Sequence, residues 1–156
     1  MAWVPRWLRV QPAVLADVAC RAAPVDERAV LRRVAAEGVI LQDEADVVLA
    51  QIRAHGHLGL IAPRGGPLVR RFFALRDLLP PRCADADDER LRTVVDAALH
   101  NHALLVSMAM DLLAHEWRSP RLADMVGRID GVGAAGRALD AAYTELTQLA
   151  ARPSAA

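Results

Sequence analysis

Residues 87–117 read DDERLRTVVDAALHNHALLVSMAMDLLAHEW, a run without a single Gly or Pro. A run this long without a breaker is a helix, and at about 1.5 Å per residue it extends roughly 45 Å. Stepping about 100° per residue separates two faces. Leu91, Val95, Ala98, Leu105, Val106, Ala109, Leu112, Leu113 and Trp117 fall on one side. Asp96, His100, Ser107, Asp111 and His115 fall on the other, while His102 sits near the middle of the apolar side.

The rest of the chain reads as shorter helices around this one. Helices are expected at about 12–22, 26–37, 43–55, 67–79, 120–130 and 134–151. Pro12 opens the first in a first-turn position. Gly38 terminates the second, Asp43 caps the third and Gly56 stops it. Pro80-Pro81 ends the fourth. Ser119-Pro120 is a cap followed by Pro at the first helical position. Residues 56–67, GHLGLIAPRGGP, hold four Gly and two Pro and read as an irregular segment lying on the body. Gly131 and Gly133 make the last turn. No stretch alternates with the period of two that a strand needs. The expected fold is all-α: one bundle of about six to seven helices around the long central helix. Residues 1–11 form an N-terminal arm, 12–152 the domain and 153–156 a loose tail.

Composition limits the chemistry. A chain of 156 residues, 54% apolar, buries one sizeable core. All nineteen basic residues are Arg, which reads as the codon bias of a GC-rich bacterial genome. Without Lys there is neither Schiff-base chemistry nor a phosphate-loop lysine. Ser and Thr number three each, Asn and Tyr one each, so nucleophiles are few and the balance leans away from an enzyme. Residues 1–83 carry twelve Arg against eight acids, and residues 84–156 seven against eleven. Two halves of opposite charge are expected to pack on each other. Cys20 and Cys83 share no metal motif and read as small apolar residues. The first twenty residues hold no apolar run long enough for a signal or a span, so a cytoplasmic protein without a transmembrane segment is expected.

Four constellations carry candidate chemistry. Asp96 with His100 and Asp111 with His115 are each four apart and lie within about 100° on one face. Carboxylate–His pairs of this kind hold metals in bundle cores. The band lies opposite the apolar stripe, however, so a solvated face with local Asp–His pairing is the favoured reading. His102 reads as a core imidazole bonded to a group on another helix, with a ligand or pH-sensing role as its alternative. Arg64, Arg70 and Arg71 around Gly65-Gly66 could hold an anion if that turn opened a helix. Residues 30–54, with a turn at Glu37-Gly38-Val39, loosely resemble a helix-turn-helix, but Asp43, Glu44 and Asp46 would face phosphates. Trp3, Trp7 and Leu8, flanked by Arg6 and Arg9, form an apolar face suited to a partner, a second copy, a membrane surface or the arm's own bundle.

The resulting expectation is a non-enzymatic helical protein acting through protein contacts, as an accessory subunit, adaptor or regulator. It requires no cofactor, and its partner is another protein or a second copy rather than nucleic acid. The alternative is a small-molecule- or metal-binding bundle using His102 or the Asp96/His100/Asp111/His115 band. A helix-turn-helix regulator stands third.

Overall fold

The computed structural model describes residues 26–151. The expected helix at 12–22, the arm at 1–11 and the tail at 153–156 lie outside the described residues. Five α-helices are present: α1 (Glu27–Arg53), α2 (Leu58–Asp77), α3 (Ala86–His115), α4 (Pro120–Gly127) and α5 (Gly133–Ala151). A 3-10 turn, Glu116–Arg118, joins α3 to α4. No strand occurs among the described residues.

The long helix starts where charge and capping place it. Asp85 accepts from the N–H groups of Asp87 (2.9 Å) and Asp88 (3.1 Å), and Asp87, Asp88 and Glu89 occupy the positive end of the helix dipole. The helix stops at His115, so Trp117 stands in the 3-10 turn and is 78% exposed rather than part of the apolar stripe. Ser119 caps α4 by accepting from Leu122 N–H at 3.3 Å, with Pro120 at the first helical position.

Three expectations are corrected. Residues 26–37 and 43–55 are one unbroken helix, capped by Asp26 instead of Asp43. Gly38 does not end it, because it is buried at a crossing of three helices. A Cβ there would lie 2.9 Å from Leu99 Cδ2 and 3.2 Å from Leu139 Cδ2. The glycine therefore permits close packing, and the turn of a helix-turn-helix is absent. The stop comes at His55, whose φ of 55° is left-handed. Its N–H donates to Ile52 O at 2.8 Å and that of Gly56 to Gln51 O at 3.0 Å, closing the helix end.

The second correction is residues 58–66, which are helical despite Pro63 and Pro67. The stripe Ile61, Gly65, Leu68, Phe72 and Leu75 runs at four-three-four-three spacing and is entirely buried. Both prolines lie on the opposite, exposed face. Burial of this stripe offsets the two missing N–H donors.

The third concerns the centre of the bundle. Arg28 meets Asp88 at one end and His55 meets Glu116 at the other, so α1 and α3 run parallel. Gly65 faces Met110 and Arg76 faces Asp96, so α2 runs antiparallel to α3. Arg90 meets Glu145, and Val132 N–H donates to Asp46 at 2.9 Å, which makes α5 antiparallel to both α1 and α3. α2 and α5 do not touch. The cross-section is a flattened rhombus with α1 and α3 on the short diagonal, so two helices share the centre. The opposite charges of the two halves meet in the pairs Arg28–Asp88 (2.8 Å) and Arg76–Asp96 (2.7 Å).

Ala86–Arg118 is also long and apolar enough to cross a membrane by length and composition, with a mean hydropathy of 1.2 in its most apolar window. Leu91, Val95, Leu99, Val106 and Leu113 of this helix belong to the shared core.

Candidate interaction surfaces

The Asp96/His100/Asp111/His115 band divides into two unrelated parts. Arg76 reaches over from α2, its Nε donating to Asp96 Oδ1 at 2.7 Å. Its Nη1 lies 3.1 Å from His100 Nδ1, and its guanidinium lies 5.9 Å from the centre of the Phe73 ring. A cation thus fills the position a metal would need. Further along, His115 Nδ1–H donates to the carbonyl of Asp111 at 2.7 Å, leaving that carboxylate to solvent. No group of three or more His, Cys, Asp or Glu side chains arranged for a metal occurs among the described residues.

His102 is 1% exposed, but its bond differs from the expected one. Its Nδ1–H donates to Ala98 O of its own helix, not to another helix. Nε2 is left as a buried acceptor without a partner among the described residues. The Phe72 ring lies 5.3 Å away, tilted by 37°. Burial pushes the imidazole pKa below its ordinary value, against a smaller opposing effect of the Ala98 carbonyl. The side chain is therefore neutral at pH 7, a polar group enclosed by apolar neighbours.

The anion site has no helix end to build on. Gly65-Gly66 lies in the middle of α2, where backbone N–H groups belong to the helix ladder. Arg71 is engaged by Glu44 at 2.8 Å, and Arg64 and Arg70 are exposed. Trp3, Trp7 and Leu8 lie outside the described residues. Cys83 is free and buried, and burial raises its thiol pKa.

Two apolar surfaces went unread in the sequence. The first lies where α3 runs out towards α4. Met108 (61% exposed) and Met125 (43%) flank a depression of about 480 Å³ lined also by Leu112, Leu122 and Arg118, whose guanidinium lies 5.4 Å from the centre of the exposed Trp117 ring. The capped turn at Ser119 folds α4 back so that Leu122 and Met125 face the last turns of α3. The second is a groove between α1 and α2. Two adjoining depressions of about 360 and 350 Å³ share Arg71 as a common wall. Ile40, Val47 and Leu78 line it and are more than half exposed. The Arg71–Glu44 pair crosses it. A signal for this groove was present: Glu37, Ile40, Glu44 and Val47 recur at three-four-three spacing, one face of a continuous helix. Dividing α1 at Gly38 concealed it.

No known protein family, curated protein or solved structure matches the chain.

Proposed function

We propose that this is a non-enzymatic helical protein acting through protein contacts, as an accessory subunit, adaptor or regulator, and that it binds through the α3–α4 surface. The observation that carries this reading is the exposure of Met108 and Met125 around one depression, with the exposed Trp117 ring against the Arg118 that lines it. Flexible, polarisable Met side chains adapt to a partner's shape, and Trp is favoured at interface centres. An exposed apolar patch rimmed by Asp111, Arg118 and His115 has the makeup of a binding surface. Nucleic acid is a poor fit, since the exposed acids of α1 and α3 repel phosphate. A cytoplasmic location without a membrane span agrees with α3 serving as a core helix of the bundle.

A photo-crosslinking amino acid placed at Met108 tests this in cells of the source organism. The expected result is a discrete adduct, with another protein or a second copy, that disappears on Met125→Glu. The same group at exposed Ala97 should give none. Absence of an adduct at Met108 above the Ala97 level overturns the reading.

A further inference from the structure

We infer that the α3–α4 surface closes on a second copy of this chain, in a two-fold dimer that rests on the reading of this surface as a protein-binding one. Each Trp117 ring enters the partner's depression, and each Arg118 reaches the partner's Asp111.

A knob and a hole lie side by side on this surface. Trp117 is 78% exposed beside the depression and does not line it. The depression, about 480 Å³, is walled chiefly by Met108, Leu112, Leu122 and Met125 and has room for an indole ring. The ring is prepared for burial. Its Nε1–H donates to Ala114 O at 3.2 Å, so an apolar site would strand no donor, and the same bond holds the ring in one direction. The Arg118 guanidinium lies 5.4 Å from the ring centre, so indole and cation move as a unit.

Charge selects the partner. The acids nearest Arg118 in sequence are already engaged: Glu116 by His55 at 2.5 Å and Asp124 by Arg128 at 2.9 Å. Arg118 therefore has no acid partner among the described residues. Asp111 accepts from His115 through its backbone carbonyl, and its carboxylate has no cation partner among the described residues. One apolar depression is thus rimmed by one unpaired cation and one unpaired carboxylate. Such a patch is complementary to its own copy turned through a half-rotation, because each cation then meets the other copy's acid. The formal net charge is zero, so two copies approach without net repulsion.

The spacing fits the same rotation. Asp111 and Arg118 are seven residues apart, about 10 Å along the chain axis. A two-fold axis crossing midway, level with Ala114 and His115, sets 111 against 118 and 112 against 117. The rotation that pairs the charges therefore also sets each Trp117 over the partner's Leu112, a wall of the depression. Contacts of this kind are reciprocal and close at two copies. Ala97 lies outside the overlap, since its counterpart falls past the turn at Ser119.

Sedimentation of the full chain over a range of concentrations tests the dimer. A monomer–dimer equilibrium is expected, and Trp117→Ala should weaken it by about tenfold or more. Asp111→Arg and Arg118→Asp should each weaken it by about as much, because each sets like charges together twice. All three positions are exposed, so circular dichroism should remain unchanged. Mixing the Asp111→Arg chain with the Arg118→Asp chain should restore dimers close to the parent's strength, since both charge contacts are then opposite again. Damage within one chain is not repaired by mixing. A mixture that associates no better than its components overturns the proposal, as does a chain that stays monomeric or a dimer indifferent to Trp117→Ala. The photo-adduct at Met108 separates the two levels. A monomeric chain whose adduct contains another protein removes the second copy and leaves the surface as a binding site. A monomeric chain with no adduct above the Ala97 level overturns both.

Discussion

His102 shows how a side chain can be placed correctly and explained wrongly. Its position among Ala98, Leu105 and Val106 made burial legible, because a wheel drawn on an unbroken helix fixes direction. The bonding partner was not legible, because the Nδ1–H bonds within its own helix. That difference decides what a substitution does. Ala98 O also accepts the backbone N–H of the helix ladder, so His102→Leu leaves no donor or acceptor stranded and removes the orphaned Nε2. Stability at pH 7 should be unchanged or rise by about 1 kcal/mol, measured by urea unfolding. The pH dependence follows from the lowered pKa. The unfolded chain takes up a proton near 6.5 and the folded chain only at lower pH, so the native state weakens as pH falls below 6.5. The slope is at most about 1.4 kcal/mol per pH unit, and His102→Leu should abolish it. Glu89 acts in a lower window. Arg92, and after it the Cys83 N–H, hold its carboxylate at about 2. Its stabilisation is complete above 4.5 and is lost as pH falls from there towards 2. Glu89→Gln should flatten that acid limb alone, leaving the limb near 6 intact.

Helix boundaries depended on whether a small residue was a stop or a contact. Asp85 and Ser119-Pro120 were legible because capping is local chemistry, decided within three residues. Gly38 was not, because the leucines that require it, Leu99 and Leu139, lie some sixty and a hundred positions away. The prolines of α2 misled for the same reason, since the stripe that outweighs them is rewarded only by packing. Glycine-to-alanine changes separate the two roles. Gly38→Ala gains helix propensity of about 1 kcal/mol but drives a methyl into two fully buried leucines. A net loss of about 1–3 kcal/mol is expected in thermal unfolding. Gly65→Ala meets only Met110, a pliant and partly exposed side chain, and should be neutral or slightly stabilising. Gly133 opens α5 at a φ of +56° with nothing within 4 Å of an added Cβ, so Gly133→Ala should cost about 1 kcal/mol through backbone strain alone.

The charge asymmetry between the two halves correctly anticipated that they associate, but not which pairs do it or how many helices lie at the centre. Net charge carries no address, and α1 divided in two could not pair with α3 along its length. The pair that matters most is Arg28–Asp88, because Asp88 is only 6% exposed. Arg28 is about a third exposed, so water weakens the loss, and Arg28→Ala should cost about 1–2 kcal/mol in chemical denaturation. Replacing both partners by Leu should recover most of it, since no charge is then left buried alone. The antiparallel course of α5 has a different consequence. Tyr143 and Thr147 lie beside Ala29, Arg32 and Arg33, which brings the last turns of α5 level with the first turns of α1. The two ends of the described body are thus near neighbours. A short glycine-serine bridge from Ala151 to Asp26, with the backbone reopened between Leu79 and Ala84, would give a circularly permuted chain whose four long helices keep every present neighbour.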